Sequence, residues 1–369
     1  MSDKTRPIRV GYYAPNIGTQ RLSAPDYCLQ KLVKSYVSDN VDINIQIVMH
    51  ESSNIPLWLD PSQVVLAPES PIRLERHINN IDIDIIHLNR YYDLLNPYLL
   101  DHPKVLTYHG DIQWEFPGLV GSTITPWLAR AVEVAKMPAF DHVVFVSDDL
   151  RNRVTRRYGP ISVDGSTIYN GVDHSIYQPL SRPQSLEYNI TSPFVLHVSH
   201  LTEKKNPLVL LEAYSKIIGR TDADLVICGS GWPESDFVSD YLSRYELSER
   251  VHLLGYVSEE DLVSLYNVAE LFVYPSRHET FGLPVVEAMA CGTPVVSSEV
   301  YAIPEIAGSY AKLCSPTSSD ELAKSMITLL NDEIERKKMS LRGRRRSDQF
   351  DWAKTSKEYA QLYQSMVNN

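Results

Sequence analysis

S-R-H-E-T-F-G-L-P-V-V-E-A-M-A-C-G, residues 276 to 292, is the most informative stretch of this chain. The apolar run of residues 271–275 leads into it and predicts a buried strand. A proline at the first helical position, good helix formers after it and a glycine at the end predict a helix over residues 284–291. Residues 279–283 therefore form the loop between the carboxyl end of a strand and the amino end of a helix.

This loop has the composition of a phosphate site. In open parallel sheets ligands bind at the carboxyl ends of the strands, and free N–H groups at the start of a helix favour anions. Gly282 has no Cβ to keep a phosphate away from the backbone. Glu279 and Glu287 lie eight residues apart, one on either side. Taken singly, each feature has an ordinary explanation, because a glutamate on the second turn of a helix is usually solvated and Gly-Leu-Pro is usually a turn.

Length and composition predict a globular protein of two domains. The chain has 369 residues, too many for one ordinary core, with 43% hydrophobic and 22% charged residues. A formal net charge of -11 argues against a general nucleic-acid binder. No apolar stretch approaches the length of a membrane span, and the polar amino terminus gives no sign of a signal peptide. Cys228 and Cys291 lie in apolar contexts without metal or redox spacing, so we expect reduced thiols and a cytoplasmic location.

Strand-like runs alternate with helical stretches, which indicates an α/β fold with parallel sheets. The strand candidates are residues 8–13, 41–49, 81–87, 105–109 and 143–147 in the first half and 194–198, 225–228, 251–254, 271–274 and 294–297 in the second. Isoleucine alternates with polar residues in the second and third candidates, which predicts strands near a sheet edge. Asp82 and Asp84 form a D-x-D pattern there, and we interpret them as the polar face of that strand and not as a metal site.

The domain boundary is predicted after residue 172. Asn170-Gly171 is a strong turn signal, and the Pro- and Ser-bearing residues 179–193 suit a linker. Near the other end, residues 350–352 begin a last amphipathic helix. We interpret two arginine clusters as solvated faces, with contact to anionic lipid as the alternative. The first cluster is Arg151, Arg153, Arg156 and Arg157, and the second is Arg342, Arg344, Arg345 and Arg346.

Residues 279–296 spell E-x-F-G-L-P-x-x-E-A-M-A-x-G-x-P-V-V, and on this signature the chain resembles the retaining family-4 glycosyltransferases of the GT-B fold. The resemblance implies two Rossmann-like parallel-sheet domains facing each other across a cleft, with a C-terminal helix crossing back to the N-terminal domain. We expect an acceptor-side domain over residues 1–172, a domain for the nucleotide-sugar donor over residues 173–350, and the returning helix over residues 351–369.

The resemblance also implies roles for individual residues. Glu287 would hold the ribose hydroxyls and Glu279 would face hydroxyls of the donor sugar. The backbone amides of Phe281, Gly282 and Leu283 would meet the sugar and the diphosphate.

A second loop resembles the family's G-R-L-x-x-x-K pattern, in which arginine and lysine bind the donor diphosphate. Lys205 fills the lysine position, but His200 stands where the family has arginine and Ser199 stands where it has glycine. A neutral imidazole offers one donor where guanidinium offers a charged fork. The resemblance therefore implies weaker stabilisation of the leaving group, or dependence on a protonated His200, with Lys204 available to compensate.

Further loops carry weaker signals. His109 belongs to a T-x-H motif that contacts the donor sugar in the family, although one histidine at a strand end is more often structural. Gly18 lies in the first strand-to-helix loop, where relatives usually carry a glycine pair against phosphate and acceptor. Gly229 begins a G-x-G turn, and Gly255, Tyr256 and Val257 come after the next predicted strand. The resemblance implies that both loops lie beside the nucleotide.

The function implied is an enzyme that transfers a sugar from a nucleoside-diphosphate sugar to an acceptor hydroxyl with retention of the anomer. The donor would be a UDP-sugar or GDP-mannose, and the acceptor a sugar or a lipid-linked sugar in glycan, glycolipid or polysaccharide assembly. No cofactor or metal is required, and nucleic acid is not a partner. Peripheral contact with the inner face of the membrane is a further expectation. The alternatives are a GT-B sugar phosphorylase or nucleotide-sugar epimerase, and a non-catalytic nucleotide-sugar binding protein.

Overall fold

A computed structural model describes residues 6–19, 23–38, 41–90, 94–110, 126–158, 165–181, 188, 190 and 193–368. The chain divides into two compact units. The first unit comprises Met1–Gly171 with Trp352–Asn369, and the second comprises Val172–Asp351. Among the described residues no helix combines the length and the apolar character that crossing a membrane requires.

The first unit is built on a parallel sheet of seven strands in the order β3-β2-β1-β4-β5-β6-β7. The strands are β1 (Ile8–Tyr13), β2 (Ile43–His50), β3 (Val64–Ala67), β4 (Ile85–Leu88), β5 (Lys104–Tyr108), β6 (His142–Phe145) and β7 (Gly165–Thr167). The helices described between them are α1 (Ala24–Ser38), α2 (Pro71–Ile78), α3 (Pro126–Lys136) and α4 (Asp148–Tyr158).

The second unit has a parallel sheet of six strands in the order β10-β9-β8-β11-β12-β13. Its strands are β8 (Phe194–Val198), β9 (Asp224–Cys228), β10 (Val251–Gly255), β11 (Leu271–Tyr274), β12 (Val295–Ser298) and β13 (Lys312–Cys314). Its helices are α5 (Pro207–Ser215), α6 (Asp236–Arg244), α7 (Glu259–Val268), α8 (Leu283–Cys291), α9 (Ile303–Ala307), α10 (Ser319–Leu330) and α11 (Glu333–Ser347). Each described unit is thus a Rossmann-like parallel sheet with helices.

The last helix, α12 (Trp352–Asn368), belongs to the first unit. Its Tyr363 hydroxyl lies 2.6 Å from His87 Nδ1 and 2.5 Å from the Tyr12 hydroxyl, and its Tyr359 hydroxyl lies 2.7 Å from Thr107 Oγ1. All these side chains are buried, and burial lowers the pKa of His87 to about 3. Buried polar groups need hydrogen-bond partners, so this network favours one position and orientation of α12 on the sheet.

The sequence interpretation of residues 81–87 is wrong. The strand expected over residues 81–87 begins at Ile85 and lies in the middle of its sheet, not near an edge. Asp84 precedes the strand, where its carboxylate accepts hydrogen bonds from Arg6 and from the Arg9 amide, each at 2.8 Å. Asp82 also pairs with Arg9. These aspartates therefore neutralise arginines at the start of the sheet and do not form the polar face of a strand.

Arg346 is likewise not part of a solvated face. Its guanidinium donates to the backbone oxygens of Glu305 and Ile306 at 2.5 and 2.8 Å and lies over the ring of Phe350. It thereby satisfies carbonyl groups at the end of α9, a role that arginine fills near helix C-termini.

Candidate active site

The turn at Gly282 connects β11 to α8 at the carboxyl edge of the second unit's sheet. Gly282 adopts a left-handed backbone, with φ 94° and ψ 53°, and no side chain caps the helix that follows. A Cβ at this position would lie 2.6 Å from Cδ1 of Ile303. The local backbone therefore explains the glycine without a ligand. The uncapped amino end of α8 still leaves amide groups that suit an anion.

Lys205 and Glu279 form a buried ion pair beside this turn. The Lys205 ammonium lies 2.5 Å from Glu279 Oε1, and both side chains are largely buried. The Ser276 hydroxyl donates to the same oxygen at 2.7 Å, and Lys205 also donates to the Tyr274 hydroxyl. Burial alone would raise the pKa of Glu279, but Lys205, Lys204 and these hydrogen bonds outweigh it and hold the pKa below its usual value. Glu279 is therefore ionised at neutral pH.

Lys204 adds a second positive charge to the same place. Its side chain is partly buried, and none of the residues that the structure describes forms an ion pair with its ammonium. Burial lowers the pKa of Lys204, the charge of Lys205 lowers it further, and Glu279 partly opposes both effects. A desolvated ammonium of this kind is stabilised by an anionic ligand.

Glu287 is buried on α8, so it is not a solvated helix residue. The Tyr266 hydroxyl donates to Glu287 Oε2 at 3.2 Å. The Phe281 ring is also buried and packs edge-on against Phe350, with the ring centres 5.5 Å apart. Phe281 can therefore offer a ligand its backbone and not its ring, whereas Leu283 is only partly buried.

The loops after β8 and β9 pack closely against each other. His197 Nδ1 lies 2.8 Å from the Val273 oxygen and its Nε2 lies 2.7 Å from Ser199 Oγ, so the imidazole orients the serine. Gly229 has φ 131°, and a Cβ there would lie 1.9 Å from the Ser199 oxygen. Only glycine fits this position. His200 is exposed on the first of these loops, and its Nδ1 lies 2.5 Å from Ser230 Oγ.

The remaining residue candidates of the second unit lie at the end of β10 and directly after it. The Gly255 oxygen accepts a hydrogen bond from the Gly229 amide at 2.6 Å, which places this loop beside the G-x-G turn. Tyr256 is 68% exposed, whereas Val257 is buried. An exposed tyrosine at a sheet's carboxyl edge offers a ring on which a planar group can stack.

Two candidates lie in the first unit. His109 follows β5 and is partly buried, and burial together with the charge of Arg90 lowers its pKa to about 3. Arg90 itself pairs with Asp26 at 2.5 Å. Gly18 follows β1 and packs directly against the backbone of Asn54. His109 is therefore a neutral hydrogen-bonding group at neutral pH.

The structure brings Lys205, Glu279 and the turn at Gly282 together in the second unit and places His200 on the neighbouring loop. Sequence reasoning missed Tyr274 and Ser276, which hold the ion pair in place. Their only signal is position, because both occur where β11 ends, and polar residues at such ends face the ligand edge of an open sheet.

Two family models match the chain and together cover most of it. Residues 37–176 match the model described as Glycosyltransferase Family 4, and residues 181–346 match the model described as Glycosyl transferases group 1. The chain is 34% identical over 173 residues to O-antigen chain mannosyltransferase B of Escherichia coli, a match that covers 46% of this chain and 45% of that protein. Matches to the first curated relatives span 28% to 61% of those proteins.

Solved structures share the fold over almost the whole chain. Sucrose-phosphate synthase from Thermosynechococcus elongatus matches with a TM-score of 0.82 and 18% identity, over 98% of this chain and 99% of that one. Anabaena HepE in complex with UDP and glucose matches with a TM-score of 0.77 and 19% identity, over 97% of this chain and 100% of that one. At these identities the likeness establishes the fold.

Proposed function

Because this chain belongs to glycosyltransferase family 4 and has the GT-B fold, we propose that it transfers a sugar from a nucleoside-diphosphate sugar to an acceptor hydroxyl with retention of the anomer. We assign the donor to the second unit and the acceptor to the first. The donor is a UDP-sugar or GDP-mannose, and the acceptor is a sugar or a lipid-linked sugar. We place the reaction in the cytoplasm.

The observation that carries this proposal is the cluster of Lys204, Lys205 and Glu279, in which Glu279 lies in the loop that leads into the uncapped amino end of α8. Sugar transfer leaves a diphosphate that gains negative charge in the transition state. Two ammonium groups and helix amides, fixed in place and partly removed from water, stabilise that charge without reorganising. The same positive groups would have little use in a site for a neutral ligand.

Glu279 and Glu287 bind sugar hydroxyls in this scheme. Glu279 already accepts hydrogen bonds from Lys205 and Ser276, which makes it a poor nucleophile and a well-oriented acceptor for a hydroxyl of the donor sugar. Glu287 takes the ribose hydroxyls. Retention then follows from attack on the face that the leaving group departs from, with a departing phosphate oxygen accepting the proton of the acceptor.

A thermal-shift panel of nucleotide sugars identifies the donor. A donor present at 100 times its dissociation constant adds about 2.7 kcal/mol to the free energy of unfolding. The panel includes GDP-mannose and UDP-glucose, since one relative is named a mannosyltransferase and one structural neighbour was solved with UDP-glucose. Stabilisation by one donor and not by its free sugar supports the assignment, and the absence of any shift across the panel contradicts it.

Turnover distinguishes transfer from the other reactions of this fold. Release of the nucleoside diphosphate only when an acceptor is present, with an α-linked product from an α-linked donor, supports retaining transfer. Consumption of the donor by inorganic phosphate, or its conversion without acceptor, indicates a phosphorylase or an epimerase. Tight donor binding with no product from any acceptor indicates a binding protein, the reading that His200 in place of arginine favours.

A further inference from the structure

His200 and Ser230 form a pair on adjacent loops of the second unit. His200 Nδ1 lies 2.5 Å from Ser230 Oγ, while the exposed imidazole has no partner for Nε2 among the described residues. The two ring nitrogens point away from each other, so Nε2 faces away from Ser230. A single hydroxyl therefore sets the orientation of a ring that would otherwise rotate in solvent.

The pair rests on a firm backbone. The Leu201 amide donates to the Ser230 oxygen at 2.9 Å, and the indole N–H of Trp232 donates to the Ser199 oxygen at 2.8 Å. Gly229 allows the second loop to touch the first directly. Both loops follow interior strands of the sheet. They lie at the carboxyl ends of the strands, where Lys205 and Glu279 also lie. The geometry of the pair is thus built by main-chain contacts and not by two mobile side chains.

We propose that Ser230 is a positioning residue that holds His200 in the tautomer with its proton on Nε2, so that this N–H is offered to the donor diphosphate. The proposal rests on the proposed function. When the serine hydroxyl donates to Nδ1, the proton of a neutral imidazole must be on Nε2. In the other tautomer, with the proton on Nδ1, the lone pair of Nε2 would face a phosphate oxygen, and the two groups would repel each other.

This assignment gives His200 a role that needs no charge. The neutral imidazole contributes one directional hydrogen bond, while Lys204 and Lys205 supply the positive charge. An arginine has donors on three nitrogens and needs no such partner to present one of them. The serine should therefore matter only while residue 200 is histidine.

Steady-state kinetics on four variants test the pair, with kcat and KM for the donor measured separately. Ser230→Ala should lower kcat/KM about five- to tenfold, the range of one lost neutral hydrogen bond. Ser230→Thr keeps the hydroxyl and should restore at least half of the loss. In a His200→Arg background, Ser230→Ala should change kcat/KM less than twofold. The matched control is Ser215→Ala, whose hydroxyl donates to the Glu212 oxygen in α5 and which should behave as wild type.

Nitrogen-15 NMR of histidine-labelled protein tests the tautomer without any donor. The His200 signals are identified by their loss in His200→Arg. They should show a protonated Nε2 and an unprotonated Nδ1 in the wild type at pH 8, and a mixture of tautomers in Ser230→Ala. A mixture in the wild type, or an Nδ1-protonated ring, overturns the proposal.

The two readouts separate the possible failures. The positioning role is wrong if the wild type turns over its donor but Ser230→Ala leaves kcat/KM unchanged, or lowers it equally with histidine and with arginine at position 200. The transferase assignment stands in both cases. If the wild type turns over no donor, the proposed function fails. A wild-type ring that then shows the predicted tautomer supports only the structural half of the inference, and its role towards a diphosphate is overturned.

Discussion

The ammonium of Lys205 lies 2.5 Å from Oε1 of Glu279, although the two residues are 74 positions apart in the chain. One residue follows β8 and the other follows β11, and these strands are neighbours in the sheet. The contact joins two motifs that sequence reasoning could treat only separately. It gives the site a buried, preorganised charge pair before any ligand binds.

Breaking the Lys205–Glu279 pair should reduce turnover and stability together. We expect Lys205→Met and Glu279→Gln each to lower kcat about 100-fold or more, since each removes a charged group that the proposed function assigns to the reacting centre. Each single variant should also lose roughly 3–5 kcal/mol of unfolding free energy, because it removes the close ion-pair partner of a buried charge.

The double variant and a surface control separate the two effects. Lys205→Met/Glu279→Gln should regain part of the stability, because neither member of the pair is left without the other, but none of the turnover. Lys216→Met removes an exposed pair with Asp320 and should change unfolding free energy by less than about 1 kcal/mol. Near-normal transfer by Glu279→Gln would overturn the assigned role. Kinetics and urea unfolding provide the two measurements.

Stability should fall as the pH drops below 6.5. Burial depresses the folded-state pKa of His87 and His109 to about 3 and that of His197 to about 4. The native state keeps these rings neutral while the unfolded chain takes up protons below its ordinary histidine pKa of about 6.5. The stabilisation is therefore complete above that pH and is lost by roughly 1.4 kcal/mol per pH unit for each ring, down to about pH 3 for His87 and His109 and down to about pH 4 for His197.

Urea unfolding at pH 7.5 and 5.5 measures this loss. His87→Gln removes one of the three groups and should reduce the pH slope by about a third, whatever its effect on stability at pH 7.5. An unfolding free energy that stays constant over this range contradicts the buried, neutral state of the three histidines.

Replacing Gly282 by alanine should destabilise the protein through the backbone. A left-handed φ of 94° costs an L-residue about 1–2 kcal/mol, and the added Cβ meets Ile303. Gly219→Ala is the matched control, because its Cβ would meet nothing within 4 Å. We expect it to be neutral or to stabilise by up to about 1 kcal/mol. Equal thermal unfolding of the two variants would show that the strained turn is not required.

Chelation should leave transfer unchanged. In the proposed reaction, Lys204 and Lys205 would supply next to the leaving diphosphate the charge that a divalent cation provides in other phosphate sites. We therefore expect initial rates in excess EDTA to match those in buffer containing Mg²⁺. A rate that collapses in EDTA and returns with Mg²⁺ or Mn²⁺ would mean that a cation, and not the lysines, stabilises the leaving group.

The architecture was predictable because the signals were local. The strand over residues 271–274 and the helix after Gly282 have the bounds that apolar runs and Pro and Gly boundaries indicate, to within a residue. Three strands were missed, β3, β7 and β13, and all three are short and lie at sheet edges. A strand of three or four residues is too short to show a periodic pattern. At the edge of a sheet such a strand also needs few apolar residues, so composition does not reveal it either.

The chemistry of the site was less predictable because it depends on pairing between distant residues. No local pattern shows that Tyr274 and Ser276 hold the Lys205–Glu279 pair, or that Glu287 is buried. Asp82 and Asp84 show the converse error, since an alternating pattern resembled a strand while the ion pairs with Arg6 and Arg9 determined the structure. Periodicity reports burial on average, whereas ion pairs depend on the tertiary fold.

The central claim is that the uncapped start of α8, with Lys204 and Lys205, binds the diphosphate of a nucleotide. Crystals of the protein soaked with UDP or GDP test it most directly. We predict electron density for two phosphates within hydrogen-bonding distance of the Gly282 and Leu283 amides and of at least one of the two ammonium groups. Nucleotide density elsewhere on the protein, with this turn empty, would contradict the account.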